Sequence, residues 1–179
     1  MSKGHVMLDI ETLGVSPGCV ILSLSAVEFD INTGELGESF NMGIDIKSCV
    51  DAGLTIDPST MKWWMEQSEQ ARRASFYAGN SLEFVLGEFV NFMNSVGPAC
   101  VWGNGVRFDV GILEGAYKAL NRKMPIEPRM ERDVRTLVSF RPDVKKNMPF
   151  EGEPHVPLDD CKHQIKYCCA IWKDINTVK

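Results

Sequence analysis

Asp9 and Glu11 lie two residues apart in the run Met7-Leu8-Asp9-Ile10-Glu11. On an extended strand such side chains leave the same face, roughly 7 Å apart along the chain. Two carboxylates so placed among apolar neighbours repel each other unless a cation sits between them. Hard oxygen ligands of this kind suit Mg²⁺ or Mn²⁺ rather than zinc. Asp109, in Trp102-Gly103-Asn104-Gly105-Val106-Arg107-Phe108-Asp109, is a third candidate. It follows an apolar strand by a short glycine-containing turn, where ligands of α/β sheets gather. It would equally suit a helix N-terminus, where the macrodipole favours an acid. Asn104, in the same turn, either orients a ligand or closes the turn.

The run His155-Val156-Pro157-Leu158-Asp159-Asp160 adds a histidine on a loop and two acids in the first turn of a helix. Helix neighbours point about 100° apart, so only one of Asp159 and Asp160 can face a common site. Of the other histidines, His5 is near the start of the chain and His163 falls on the expected solvent side of the helix. Each of these residues has an ordinary structural explanation when taken alone. Together they form a set of parts for phosphodiester hydrolysis. Two metal ions about 3.5–4 Å apart, held by carboxylates, stabilise both the attacking and the leaving oxygen. A histidine beside them is a suitable base for the attacking water.

These residues need a scaffold, and the pattern of the chain predicts one. His5 to Leu8 reads as a short strand ending in the acidic pair. Val20 to Phe29 is a second strand, with Ser23 and Ser25 alternating among aliphatic residues. Asn32-Thr33-Gly34 supplies a turn before a third strand around Glu38 to Ile46. A helix starts at Asp57-Pro58-Ser59, with proline in its first turn. Another runs from about Ser81 to Ser95, its apolar stripe formed by Leu82, Val85, Leu86, Phe89, Val90 and Met93. Ala99 to Gly103 is a buried strand, followed by a helix from about Phe108 to Leu120. Arg132 to Phe140 is a strand or strand-to-helix element. A polar loop from Arg141 to Pro154 leads to a final helix, about Leu158 to Asn176, with Ile165, Cys168, Cys169 and Trp172 inward. Three strands followed by alternating helices and strands indicate an α/β fold, a mixed sheet flanked by helices. Residues 1–179 read as a single domain, the size being near the commonest for one.

Composition narrows the setting. No run reaches the roughly 18 apolar residues that span a bilayer, and the N-terminal residues lack the apolar core of a signal peptide. Six scattered cysteines show no C-x-x-C spacing, which suits free thiols in a reducing compartment. The expected location is therefore cytoplasmic. A net charge of −5 argues against coating long duplexes, but not against gripping one terminal nucleotide through bound cations.

At these residues the chain resembles the DnaQ-like exonucleases of the DEDDh subgroup. LDIETLG is similar to their first motif, NGVRFDVGIL to the second and HVPLDDC to the third. The TMKWWMEQ and DVRTL segments are similar to the RNase T-like and phage DexA-like group. The resemblance implies a ribonuclease-H-like five-stranded mixed sheet and a 3′→5′ exonuclease that releases nucleoside 5′-monophosphates. It implies that Asp9, Glu11 and Asp160 bind the metal that activates water, Asp9 bridging to a second Mg²⁺ or Mn²⁺. Asp109 completes the site and His155 is the general base. The choice of Asp160 over Asp159 rests on the family spacing. Thr12 and Leu13 are expected to contact the terminal nucleotide. Pro157 stands where many relatives have alanine, and Met148 to Pro154 lengthens the loop before the histidine.

Further contacts are expected from aromatic residues. Trp63, Trp64 and Phe108 offer stacking surfaces for single-stranded nucleic acid, and Trp64, Phe108 and Asn104 are the expected substrate contacts. Arg141, Lys145 and Lys146 could guide phosphates or keep a loop soluble. Gly103, Gly105 and Gly111 form no phosphate-loop pattern. The partner is a nucleic-acid 3′ end, with single-stranded DNA slightly favoured over RNA on the phage-like resemblance. An RNase T-type exoribonuclease is the alternative, and a non-catalytic module or an endonuclease on the same fold ranks lower. Relatives differ in whether they form homodimers, and no exposed stripe decides it.

Overall fold

In the computed structural model, which describes residues 4–76 and 79–177, strand β1 (His5–Thr12) feeds two hydrophobic cores in alternation. Val6, Leu8 and Ile10 enter one core and Met7 enters the other. Asp9 and Glu11 follow Met7 in steps of two and share its face. β1 is the middle strand of a five-stranded sheet of order β3-β2-β1-β4-β5. β2 (Ile21–Phe29) pairs antiparallel with β1 and with β3 (Leu36–Gly43). β4 (Cys100–Gly103) pairs parallel with β1 and with β5 (Glu131–Asp133). The mixed sheet is the one the strand order predicts.

Helices cover both faces. On the Leu8 face lie α4 (Leu82–Val96) and α5 (Val106–Ala119), with the shorter α1 (Ile46–Asp51), α2 (Pro58–Met65) and α3 (Glu69–Phe76). α4 buries the expected stripe except Val90, which is half-buried, and adds Phe92 and Val96; Ser81 caps it by accepting a hydrogen bond from the Phe84 amide. On the Met7 face lie α6 (Val134–Phe140) and α8 (Pro157–Thr177), whose Val134, Leu137, Ile165, Cys168 and Ile171 complete the second core.

Four local expectations change. β3 stops at Gly43 rather than near Ile46, because Asp45 accepts from the Ser48 amide and starts α1. α3 buries only Ala71 and Ser75 fully, with Phe76 half-buried against Trp64, too weak an apolar stripe to be seen in the sequence. The expected loop after Arg141 contains α7 (Pro142–Asn147), with proline in its first turn and Arg141 bridging Asp143 and Asp174 at 2.9 and 2.7 Å. His163 is half-buried against Phe150 and Tyr167 at ring separations of 4.6 and 5.3 Å, not turned to solvent. All six cysteines are unpaired. Among the described residues no helix is long and apolar enough to cross a membrane.

Candidate active site

The first acidic pair is framed by small residues. Asp9 stands opposite Ser25 and Glu11 opposite Ser23 in the antiparallel ladder, so both serines share the face of the acids. A bulky side chain at either serine would fill the floor of the site. Ser25 is tied down, donating to Asn41 Oδ1 at 2.7 Å. β4 ends at Gly103, and a Cβ there would lie 2.9 Å from Asp109 Oδ2. Glycine is thus what lets the Asp109 carboxylate, in the first turn of α5, fold back beside the strand. Asp160 and Gln164 come from successive turns of α8, and Gln164 Nε2 donates to Asp9 Oδ1 at 2.9 Å.

His155 precedes α8 with a φ of 65°, unusual for a residue with a side chain. Its backbone amide donates to Asp160 Oδ2 at 2.8 Å, which holds that conformation. The ring stands edge-on to Trp63 and Trp64, 5.0 and 6.4 Å away, with Nδ1 3.9 Å from Glu11 Oε1. Asp159 turns away, accepting from the Glu153 amide at 3.1 Å. Glu153 in turn accepts from Ser68 Oγ at 2.6 Å, tying the histidine loop to the α2–α3 connection. Asp9, Glu11, Asp109, His155 and Asp160 thereby line one cleft of about 240 Å³. Ligand atoms of Glu11, His155 and Asp160 lie within 4.8 Å of one another.

Burial makes this cluster costly when ionised. Glu11 is 9% and Asp109 3% exposed. Burial, reinforced by the charges of Asp160 and Asp109, pushes Glu11 up to about 9. Burial also pushes Asp109 up to about 7, partly offset by the Ile10 amide, Arg135 and the Asn104 amide. Asp9 is raised well above the carboxylate range by burial and then by Asp109, Glu11 and Asp160, with the Gln164 hydrogen bond opposing. Asp160 is raised by burial and pulled back by the His155 amide. Asp109 Oδ2 is buried with no hydrogen-bond partner among the described residues. Four crowded carboxyls with an orphaned oxygen form a donor set suited to hard divalent cations.

A second cavity of about 370 Å³ adjoins the cleft and shares Glu11 and Phe108 with it. Its walls include Thr12, Val15, Trp63 and Trp64. Two expected substrate contacts are engaged within the fold. Trp64 is 1% exposed and donates its indole N–H to the Thr12 carbonyl at 2.9 Å, so it anchors α2 to β1. Trp63, 40% exposed, is the tryptophan that presents a face to the cavity. Leu13 is fully buried, its amide donating to Val20 and its carbonyl accepting from Asp57, leaving nothing for a nucleotide. Thr12 lines the cavity, but its hydroxyl donates to the Gly14 carbonyl at 2.6 Å. Phe108 is half-buried between the two cavities, and Asn104 lines the cleft with its Oδ1 buried and unpartnered among the described residues. The Arg141-Lys145-Lys146 group contributes no residue to either cavity: Arg141 is ion-paired, and Lys145 lies over the Tyr167 ring at 5.3 Å. Sequence reasoning passed over two residues of the cleft, Gln164 and Arg135. Gln164 was within reach, being one helical turn beyond Asp160 on the same face.

Acids from the end of β1, the first turn of α5 and the first turn of α8 thus meet at one end of a mixed sheet, an arrangement shared with solved exonuclease structures. A full-length 3′-exonuclease has a TM-score of 0.68 to this chain at 13% identity, over 94% of this chain and 81% of that one. The nuclease domain of 3′hExo, a DEDDh family member bound to rAMP, gives 0.61 at 14%, covering 94% and 92%. S. pombe Pop2p in a Mg²⁺- and Mn²⁺-bound form gives 0.62 at 11%, covering 98% and 83%. At these identities the likeness shows the fold. No curated protein sequence matches the chain. The family is fixed separately: residues 4–172 match the 3′-5′ exoribonuclease Rv2179c-like domain, and the chain belongs to that family.

Proposed function

We propose that the cleft hydrolyses the last phosphodiester linkage at the 3′ end of single-stranded RNA and releases a nucleoside 5′-monophosphate. The observation that carries this reading is the convergence of four acids, Glu11 and Asp109 buried and Asp9 and Asp160 half-buried, and of His155 on one cleft beside an aromatic cavity. The sequence tilted towards DNA; the exoribonuclease description of the family and the rAMP bound to 3′hExo support RNA instead.

Asp9, Glu11, Asp109 and Asp160 fit a pair of divalent cations, as the raised carboxyls and the orphaned Asp109 oxygen argue. Mg²⁺ or Mn²⁺, both present in the Pop2p structure, supplies the positive charge that the attacking and leaving oxygens need. Trp63 and Phe108 receive the terminal base by stacking. Gln164 fixes the Asp9 carboxylate in one orientation. His155, steadied by the two tryptophans, takes the proton of the attacking water. The bond between phosphorus and the 3′ oxygen of the penultimate nucleotide breaks, and that oxygen leaves as a hydroxyl.

The test is digestion of matched 5′-labelled RNA and DNA single strands with Mg²⁺ or Mn²⁺. The expected result is shortening from the 3′ end, faster on RNA, and no hydrolysis by a folded Asp9→Asn variant. Digestion by that variant at the wild-type rate would show that the cleft is not the site.

A further inference from the structure

Arg135 is the one arginine or lysine among the residues that line the carboxylate cleft. It lies in the first turn of α6, exposed, and its charge bears on Asp109. Even so, among the described residues its guanidinium makes no hydrogen bond or ion pair. A Cβ built at Gly105 would stand 3.0 Å from Arg135 Cζ and 3.2 Å from both Nε and Nη2. Three nearly equal distances mean that the guanidinium plane lies flat over that glycine. Gly105 has a φ of 101°, a conformation that itself selects against side chains, so the seat is kept open by the backbone. A guanidinium held by its face keeps its donor edge free, the arrangement that suits a bidentate grip on a phosphate.

Its place decides which phosphate. The aromatic cavity and the cleft meet at Glu11 and Phe108, and Arg135 lines only the cleft, in company with Asn104 and Gln164. On the reading above, the terminal base occupies the aromatic cavity and the scissile phosphate spans the acids. The rest of the strand then leaves past Arg135. Resting on that reading, we propose that Arg135 binds the phosphate one nucleotide 5′ of the scissile linkage. The enzyme therefore favours an end that carries a second phosphate over one that lacks it.

Two dinucleotides isolate the effect. One is a dinucleoside monophosphate, whose only phosphate is the scissile one; the other is the same molecule with a 5′-phosphate. Wild type is expected to hydrolyse the 5′-phosphorylated form with kcat/KM about 10- to 100-fold higher, the range of a charge-assisted contact. Arg135→Ala narrows that ratio to about 3 or less, and Arg135→Lys gives a value between. A trinucleotide with an uncharged methylphosphonate at its 5′ linkage behaves like the unphosphorylated dinucleotide. If Arg135 served only to offset the acids, Arg135→Ala would slow both dinucleotides equally and leave the ratio intact, which overturns the proposal. A wild-type ratio near one overturns it too. Wild type that cleaves neither dinucleotide nor longer RNA would refute the exonuclease reading of the cleft itself.

Discussion

Removing divalent metal should make this protein lose stability as the pH rises from 5 to 8, and Glu11→Gln should remove the share of that loss that Glu11 carries, leaving the shares of Asp9 and Asp109. The folded-state carboxyl of Glu11 is raised from 4.5 to about 9, chiefly by burial. A raised acid contributes its full share of stability below the unfolded value and loses it as the pH climbs towards the folded one. Across this window the unfolded chain sheds the Glu11 proton while the fold retains it. The slope is about 1.36 kcal/mol per pH unit, so three units amount to about 4 kcal/mol for this one group. For a chain of this size that is a fall in Tm of about 8–16 °C. The assay is thermal unfolding in chelator at each pH, with wild type and Glu11→Gln side by side. Saturating Mg²⁺ should raise Tm more at pH 8 than at pH 5, since cations bind the ionised acids. Parallel curves for the two proteins in chelator would refute the reasoning, because the carboxyl would then ionise in the fold as freely as in the unfolded chain.

Other substitutions separate chemistry from support. His155→Ala should lower kcat about 10²- to 10⁴-fold, the usual worth of a general base, while calorimetry shows Mg²⁺ binding retained. Trp63→Ala should raise KM by about 5- to 100-fold through lost stacking, with Tm almost unchanged because the residue is 40% exposed. Trp64→Ala should instead cost about 3–5 kcal/mol in chemical denaturation, from a cavity beneath α2 and an unpaired Thr12 carbonyl.

What the sequence disclosed and what it hid follow the range of the forces involved. The same-face pairing of Asp9 and Glu11 was legible because strand periodicity is local. The mixed sheet was legible because runs of β-branched and aliphatic residues alternate with helical stripes. Trp63 and Trp64 could not be told apart, since adjacent helix positions differ only in direction. What separates them is an indole reaching a carbonyl 52 positions away in the chain. Leu13 is sealed by hydrogen bonds to Val20 and Asp57, and the second of these spans the whole β2–β3 hairpin. Arg135 fell within the DVRTL segment but gave no signal of a site of its own, because its seat is a glycine thirty positions earlier, on a different element. Asp45 and Ser48, by contrast, carried a capping signal for α1 that apolar patterning overrode.

The cleft is built as much by absent volume as by the acids it gathers. Ser23 and Ser25 replace the branched side chains expected on a strand, Gly103 clears the path of Asp109, and Gly105 seats Arg135. The serines and Gly103 forgo apolar packing within the sheet, where burial would stabilise most. Several polar atoms are also left short of partners: Ser23 Oγ, Asp109 Oδ2, Asn104 Oδ1 and Gln164 Oε1 are buried and unsatisfied among the described residues. A fold that only had to be stable would fill these positions with aliphatic groups. Orphaned polar atoms facing four crowded carboxyls make sense where cations and a phosphate strand complete the bonding. The stability forgone in the metal-free protein is thus the free energy that favours binding of both.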